Sequence, residues 1–269
     1  MKNTMICQCL TGVALAAILS ACGAGSVPAD EDGAESAVAV KVNELASVGI
    51  GDARITFLQT EGEQDISIEE EASIYAKQTP MQQLWGRGLT SLELFMSLAP
   101  DQIAPEALVA AHAREAEVLG RDGDDIAPVD LDLAPTLEKS VTPSQCDVMW
   151  RRPYTSSYGD WVNKARLDNQ TSTARLCGGM SCSHTYEFPD EVILMGICNS
   201  SSSRYLPYHL RDKPYYSSTW RITSRSARPE TINANYRIHT IPYSHAIEGR
   251  PSPGSGVTYH LRAAIGSHL

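Results

Sequence analysis

Regular alternation of apolar and polar residues in the second half of the chain is the feature that most limits its fold. Residues 220–223, 232–239 and 257–263 all follow a period of two. In an extended strand this period gives one apolar and one polar face, so the three segments predict half-buried β-strands. Residues 192–197 are continuously apolar. They predict a strand that is buried on both faces.

The first half of the chain mixes strand and helix patterns. Residues 55–68 alternate around a Glu-Gly-Glu turn and predict a hairpin. Residues 90–99 and 105–120 predict helices. Thr90 and Glu93 stand three positions apart, as a capping box requires, at the start of the first of these helices.

Four cysteines, all in the second half, predict two disulfides in an oxidising compartment: Cys146, Cys177, Cys182 and Cys198. Four cysteines allow three pairings. We favour Cys177–Cys182 with Cys146–Cys198, because the intervening Gly-Gly-Met-Ser can form a tight hairpin loop that brings the first pair together. A zinc site is the alternative, although the chain lacks a second paired cluster of ligands.

The amino terminus carries an export signal. Lys2 supplies a positive charge, residues 5–18 are mostly apolar, and residues 19–22 read Leu-Ser-Ala-Cys. This segment resembles the lipobox of bacterial lipoproteins, and the resemblance ends at Cys22. It implies cleavage before Cys22, acyl chains on that residue and attachment to a membrane of the cell envelope. Gly23 stands where inner-membrane lipoproteins of enteric bacteria carry Asp, which implies the outer membrane.

These patterns together predict an α+β protein. A small mixed α/β region would precede a disulfide-bonded antiparallel β domain, either a sandwich or a small barrel. The predicted segments are the lipoprotein signal peptide 1–21, a flexible acidic tether 22–40, a mixed α+β region 41–120, an Asp- and Pro-rich linker 121–145 and a β-rich disulfide domain 146–269.

Charge is distributed unevenly between the two halves. Residues 22–145 carry 23 acidic and 7 basic side chains, whereas residues 146–269 carry 9 acidic and 14 basic ones, 12 of them Arg. This asymmetry indicates either docking of one half against the other or different partners for the two halves. Solvated surface on both halves is the simpler alternative. We expect no nucleic-acid binding, because the basic excess is small and the acidic half opposes it.

The second half also holds ten of the 11 Tyr and three of the four Trp residues. Tyr, Trp and Arg are enriched in binding hot spots, and aromatic rings stack on sugars. Two clusters are therefore predicted binding residues: Trp150, Arg151, Arg152, Tyr154, Tyr158 and Trp161 in the first, and Tyr205, Tyr208, Arg211, Tyr215, Tyr216 and Trp220 in the second. The alternative is that these aromatic residues belong to the core of a small β domain.

Signals for catalysis are weak. The chain has no HExxH, no phosphate-binding Gly-rich loop and no GxSxG elbow, so we assign no catalytic residue, resident metal or cofactor. A three-histidine metal site at His239, His245 and His260 and a calcium loop at residues 122–125 remain alternatives. The sequence thus predicts a lipid-anchored envelope protein that binds a glycan or protein partner without catalysis. The alternative is a hydrolase built on His184, His239 or His245.

Overall fold

The computed structural model describes residues 37–76, 79–126, 162–168, 174–176, 186–188, 192–214, 217–241, 243–249 and 259–265. Residues 35–269 belong to one structural unit. The predicted export signal, Cys22 and residues 127–145 of the predicted linker lie outside the described residues. The predictions that depend on them therefore stay predictions.

A seven-stranded sheet combines strands from both halves of the chain. Its strands in spatial order are β2 (Val42–Ile50), β3 (Ala53–Thr60), β4 (Ile66–Ser73), β11 (Thr231–Ile238), β8 (Val192–Asn199), β13 (Tyr259–Ile265) and β5 (Val162–Asp168). Every neighbouring pair in it is antiparallel. The predictions of an α+β protein, of the first-half hairpin and of antiparallel strands in the second half are confirmed.

The junction between the two halves of this sheet is the pairing of β4 with β11. It runs from Ser73 opposite Thr231 to Ser67 opposite Arg237. Residues 41–120 and 146–269 therefore share one sheet, rather than forming the two separate domains that composition suggested. The physical reason is that β4 would otherwise present a row of unpaired backbone N–H and C=O groups, which β11 satisfies.

A six-stranded sheet forms the second layer. In spatial order it contains β1 (Ala37–Ala39), β10 (Trp220–Ala227), β9 (Leu206–Pro214) and β12 (Tyr243–Gly249), with β6 (Ala174–Leu176) and β7 (Tyr186–Phe188) both on β12. Strand β1 pairs in parallel with β10, so the tether predicted over 22–40 is wrong in its last residues. Neither sheet closes on itself among the described strands, so the small-barrel alternative is also wrong.

Three short helices cover the apolar face of the seven-stranded sheet: α1 (Pro80–Leu84), α2 (Ser91–Leu98) and α3 (Glu106–Val118). The capping box of α2 is confirmed, since Thr90 Oγ1 accepts from the Glu93 N–H at 3.3 Å and Glu93 Oε2 accepts from the Thr90 N–H at 2.9 Å. Helix α1 was missed, although Thr79 and Gln82 form a second capping box there. Its sequence signal, Thr-Pro followed by Gln, was present.

Aromatic contacts hold the helices to the sheet. Phe57 of β3 packs edge-on against Phe95 of α2, with ring centroids 5.5 Å apart. The ring of Tyr236 in β11 packs against the ring of Trp85, which follows α1, with the ring centroids 4.9 Å apart. Because side chains alternate along a strand, packing this face against helices leaves the polar residues of β3, β4 and β11 on the opposite face.

Candidate functional site

A cavity of about 320 Å³ lies between the polar face of the seven-stranded sheet and strands β9 and β10. This volume falls at the lower end of the range typical of small-ligand sites. Most of its lining is polar or charged, and the lining residues include Arg54, Thr56, Glu69, Glu71, Tyr208 and Arg225.

Polar residues of three neighbouring strands form the floor of the cavity. Cross-strand pairing places two rows of polar side chains across β3, β4 and β11, namely Thr56–Glu69–Asn235 and Arg54–Glu71–Asn233. Members of a row lie close together because directly opposed residues in an antiparallel pair are neighbours on one face. The floor therefore presents hydroxyl, amide, carboxylate and guanidinium groups side by side.

The roof of the cavity comes from the six-stranded sheet. Tyr208 of β9 stands opposite Arg225 of β10. Arg225 reaches down to the floor, where its Nε donates to Glu69 Oε1 at 2.7 Å and to Oε2 at 2.9 Å. Burial is the main cause that raises the pKa of Tyr208 above its usual value. The phenol therefore stays protonated at any physiological pH.

Ion pairs between the two halves of the chain fasten the layers together. Arg225 pairs with Glu69, Arg228 with Glu71 and Arg221 with Glu63. In every pair the carboxylate comes from the acidic first half and the guanidinium from the basic second half. The charge asymmetry of the sequence is thus expressed, at these positions, as docking within one molecule.

Asp212 of β9 is shared by two arginines beside the cavity. Its Oδ2 accepts from Arg221 Nη2 at 2.5 Å and lies 3.3 Å from Arg237 Nη1. Burial raises the pKa of Asp212, and the positive charge of Arg237 acts in the opposite direction. Asp212 comes from the second half of the chain, whereas the other carboxylates that pair with these arginines come from the first half.

Glu70 lies between Glu69 and Glu71 in sequence but faces the other way. Its Oε1 accepts from the Met81 N–H at 2.9 Å, while Oε2 accepts from Thr79 Oγ1 at 2.6 Å and from the Tyr236 hydroxyl at 3.0 Å. Burial raises the pKa of Glu70 to about 7, and these hydrogen bonds act against that rise. Its carboxyl group therefore ties β4 to helix α1 and not to the cavity.

The predicted aromatic clusters are only partly described. Tyr205 is 54% exposed, Tyr208 is 6% exposed at the cavity, and Trp220 is 4% exposed with Lys213 Nζ 5.1 Å from its ring centroid. Of these three, Tyr208 alone borders the cavity. Arg211 lies on β9, and its side chain is not described. The predictions for Trp150, Arg151, Arg152, Tyr154, Tyr158, Trp161, Tyr215 and Tyr216 concern residues outside the described part of the chain.

The histidines considered for a metal or catalytic site lie in different parts of the fold, where the structure describes them. His239 is fully buried, with Nδ1 3.4 Å from Asp65 Oδ2, and burial lowers its pKa so that it is neutral. His245 belongs to the six-stranded sheet and His260 to the seven-stranded one, so the three-histidine site on one sheet face is not formed. His184 lies outside the described residues.

Within the described part of the chain, no three His, Cys, Asp or Glu side chains are grouped as metal ligands. In the acidic turn considered for calcium, the Asp124 N–H donates to Asp122 Oδ1 at 3.1 Å. Cys198 is fully buried on β8, and its three possible partners lie outside the described residues. Both predicted disulfides therefore stay predictions.

The sequence interpretation missed the residues that form the cavity floor, chiefly Thr56, Glu69 and Glu71. A signal for them was present, because they occupy the polar positions of the predicted hairpin. The opposite charges of the two halves also indicated which groups would meet. What the sequence did not indicate is which strands of a second sheet would cover this polar face.

None of the helices in the described ranges is long and apolar enough to cross a membrane. No family model, no curated protein and no solved structure matches the chain. A functional interpretation therefore depends on the geometry of the cavity and on the resemblance of residues 19–22 to a lipobox.

Proposed function

We propose that the protein is a lipid-anchored, non-catalytic binding protein of the cell envelope, and that a glycan enters the cavity between its sheets. The lipobox resemblance supports the location, with acyl chains on Cys22 and the outer membrane as the site of attachment. Several acyl chains would make that attachment close to permanent, since each buried methylene contributes about 0.8 kcal/mol.

The observation that carries the proposal is a concave, largely polar cavity between two sheets. Stable protein partners bury roughly 1,200–2,000 Å² and place apolar residues at the centre of the contact. A cavity of about 320 Å³ lined by carboxylate, guanidinium, amide and hydroxyl groups does not offer such a centre. It suits a few sugar rings, whose hydroxyl groups need both donors and acceptors.

Two disulfides belong to the proposal. In an oxidising envelope compartment we expect Cys177–Cys182 and Cys146–Cys198, each adding roughly 2–4 kcal/mol to the free energy of unfolding. Mass spectrometry of a non-reduced digest identifies the pairing. Free thiols at these four positions in protein isolated from the envelope would contradict this part of the proposal.

The binding test uses the full-length lipoprotein, purified in detergent and incubated with polysaccharide and peptidoglycan fractions of the envelope. Thr56→Phe fills the cavity floor, and Thr219→Phe is the matched control because Thr219 does not border the cavity. We expect the wild type and Thr219→Phe to be retained and Thr56→Phe to be lost, with thermal unfolding confirming that both variants fold. Equal retention of all three proteins, or retention of none, would overturn the proposal.

The location is tested separately. The intact mass of protein isolated from membranes should show cleavage before Cys22 and added acyl chains, and Cys22→Ser should release the protein into the soluble fraction. An unmodified, full-length chain in the wild-type strain would refute the anchor.

A further inference from the structure

Charges that border the cavity are matched within the protein itself. Arg54 Nη2 lies 3.6 Å from Glu44 Oε2, and Arg225 Nε lies 2.7 Å from Glu69 Oε1. Glu71 is paired with Arg228, which is not itself a lining residue. Each of these three carboxylates thus already has a guanidinium partner within the protein.

Glu70 is the fourth glutamate that borders the cavity, and its carboxyl group is also satisfied internally. Its two oxygens accept hydrogen bonds from the Thr79 hydroxyl, the Met81 N–H and the Tyr236 hydroxyl. It faces helix α1, so a ligand in the cavity does not meet this group. A charged ligand would therefore find no counter-ion that is not already engaged.

Neutral hydrogen-bonding groups, in contrast, remain available. Within the described residues, the hydroxyl groups of Thr56 and Tyr208 have no hydrogen-bond partner, although both residues border the cavity. A hydroxyl group both donates and accepts. Two such groups, one in the floor and one in the roof, match the donor and acceptor character of a sugar hydroxyl from opposite sides.

We infer that the ligand of this cavity is a neutral, hydroxyl-rich saccharide and not a glycan that carries phosphate, carboxylate or free amino groups. The inference rests on the proposed binding function and specifies its ligand class. At the Arg225–Glu69 pair, whose side chains are only 21% and 22% exposed, a charged ligand would have to break an internal ion pair or remain unpaired, and both are costly. Neutral sugar hydroxyls avoid this cost, because they accept charge-assisted hydrogen bonds from the guanidinium groups and donate them to the carboxylates.

The experiment measures retention of the detergent-purified lipoprotein on an array of matched oligosaccharides. Galactose oligomers are compared with galacturonate oligomers, and N-acetylglucosamine oligomers with glucosamine oligomers; glucose and mannose oligomers complete the neutral set. We expect retention on neutral glycans, with a dissociation constant that changes less than about twofold between low and high salt.

Two variants connect binding to the cavity. Thr56→Val and Tyr208→Phe each remove one hydroxyl group while keeping the shape of the side chain, and each should weaken binding about two- to tenfold. Thr219→Val is the matched control and should bind as the wild type does. Unchanged binding in both cavity variants would refute the placement of the ligand.

The remaining outcomes separate this inference from the proposed function. Preferential retention on galacturonate or glucosamine oligomers, abolished by Thr56→Phe, would overturn the inference while leaving a glycan-binding cavity in place. Retention on no glycan of any charge would refute the binding function, and the inference with it.

Discussion

Replacing Glu70 by Gln should remove a large part of the pH dependence of stability. Glu70 is fully buried, and burial raises its pKa from 4.5 to about 7. The folded protein therefore holds this proton up to about pH 7, whereas the unfolded chain releases it near pH 4.5. The stabilisation is complete below pH 4.5 and is lost as the pH rises through 7.

The magnitude follows from the two pKa values. Each tenfold change in proton affinity corresponds to about 1.4 kcal/mol, so a rise from 4.5 to about 7 amounts to about 3 kcal/mol in the free energy of unfolding. Glutamine keeps the shape of the protonated side chain. Its oxygen still accepts from the Met81 N–H, and its amide group donates to the hydroxyl oxygens of Thr79 and Tyr236 in place of accepting from them.

The assay is urea unfolding of wild type, Glu70→Gln and the exposed control Glu106→Gln at several pH values from 4.5 to 8. Glu115 also titrates with a pKa raised to about 7, and His239 acts in the opposite sense, so the decisive quantity is the difference between variant and wild type. We expect the variant to gain about 3 kcal/mol relative to wild type across this range. A difference that does not change with pH would refute the argument, and Glu106→Gln shows the effect of the same substitution at an exposed position.

Two further predictions test the ligand class and the packing of the fold. Arg228→Gln leaves Glu71 without its guanidinium partner, so the affinity for glucosamine oligomers should rise several-fold and should decrease with added salt. Calorimetry that detects no increase in this affinity would contradict the charge-matching argument. Gly123→Ala should lower the free energy of unfolding by about 1–3 kcal/mol, because its Cβ would lie 2.9 Å from the Ala113 Cα. Gly49→Ala is the control: its Cβ meets nothing within 4 Å, so urea unfolding should show no loss of stability, and a loss equal to that of Gly123→Ala would refute the steric explanation.

The sequence predicted the two faces of the central strands but not the surroundings of the polar one. Alternation over residues 55–68 and 232–239 correctly separated Phe57 and Tyr236 from Thr56 and Asn233. A period of two does not distinguish a polar face in water from one that meets a second polar sheet. In both cases the polar groups are satisfied, so the sequence pattern is the same.

The sequence could not predict which strands pair with each other, for a related reason. Every strand offers the same backbone donors and acceptors, and the pairing of β4 with β11 joins residues far apart in the chain. The contact that accompanies it, Tyr236 hydroxyl to Glu70, spans 166 positions. Local signals such as the capping box at Thr90 were predictable because both partners lie within one turn of helix.

The structure changes the interpretation of the arginines in the second half of the chain. Composition suggested that Arg residues of the second half contribute to a binding surface, but Arg221, Arg225 and Arg228 already bind glutamates of the first half. Expressed alone, the first half would leave those glutamates facing water and the edge of β4 open to other chains. The opposite charges of the two halves therefore favour their association into one pair of sheets. The cavity lies between these two sheets.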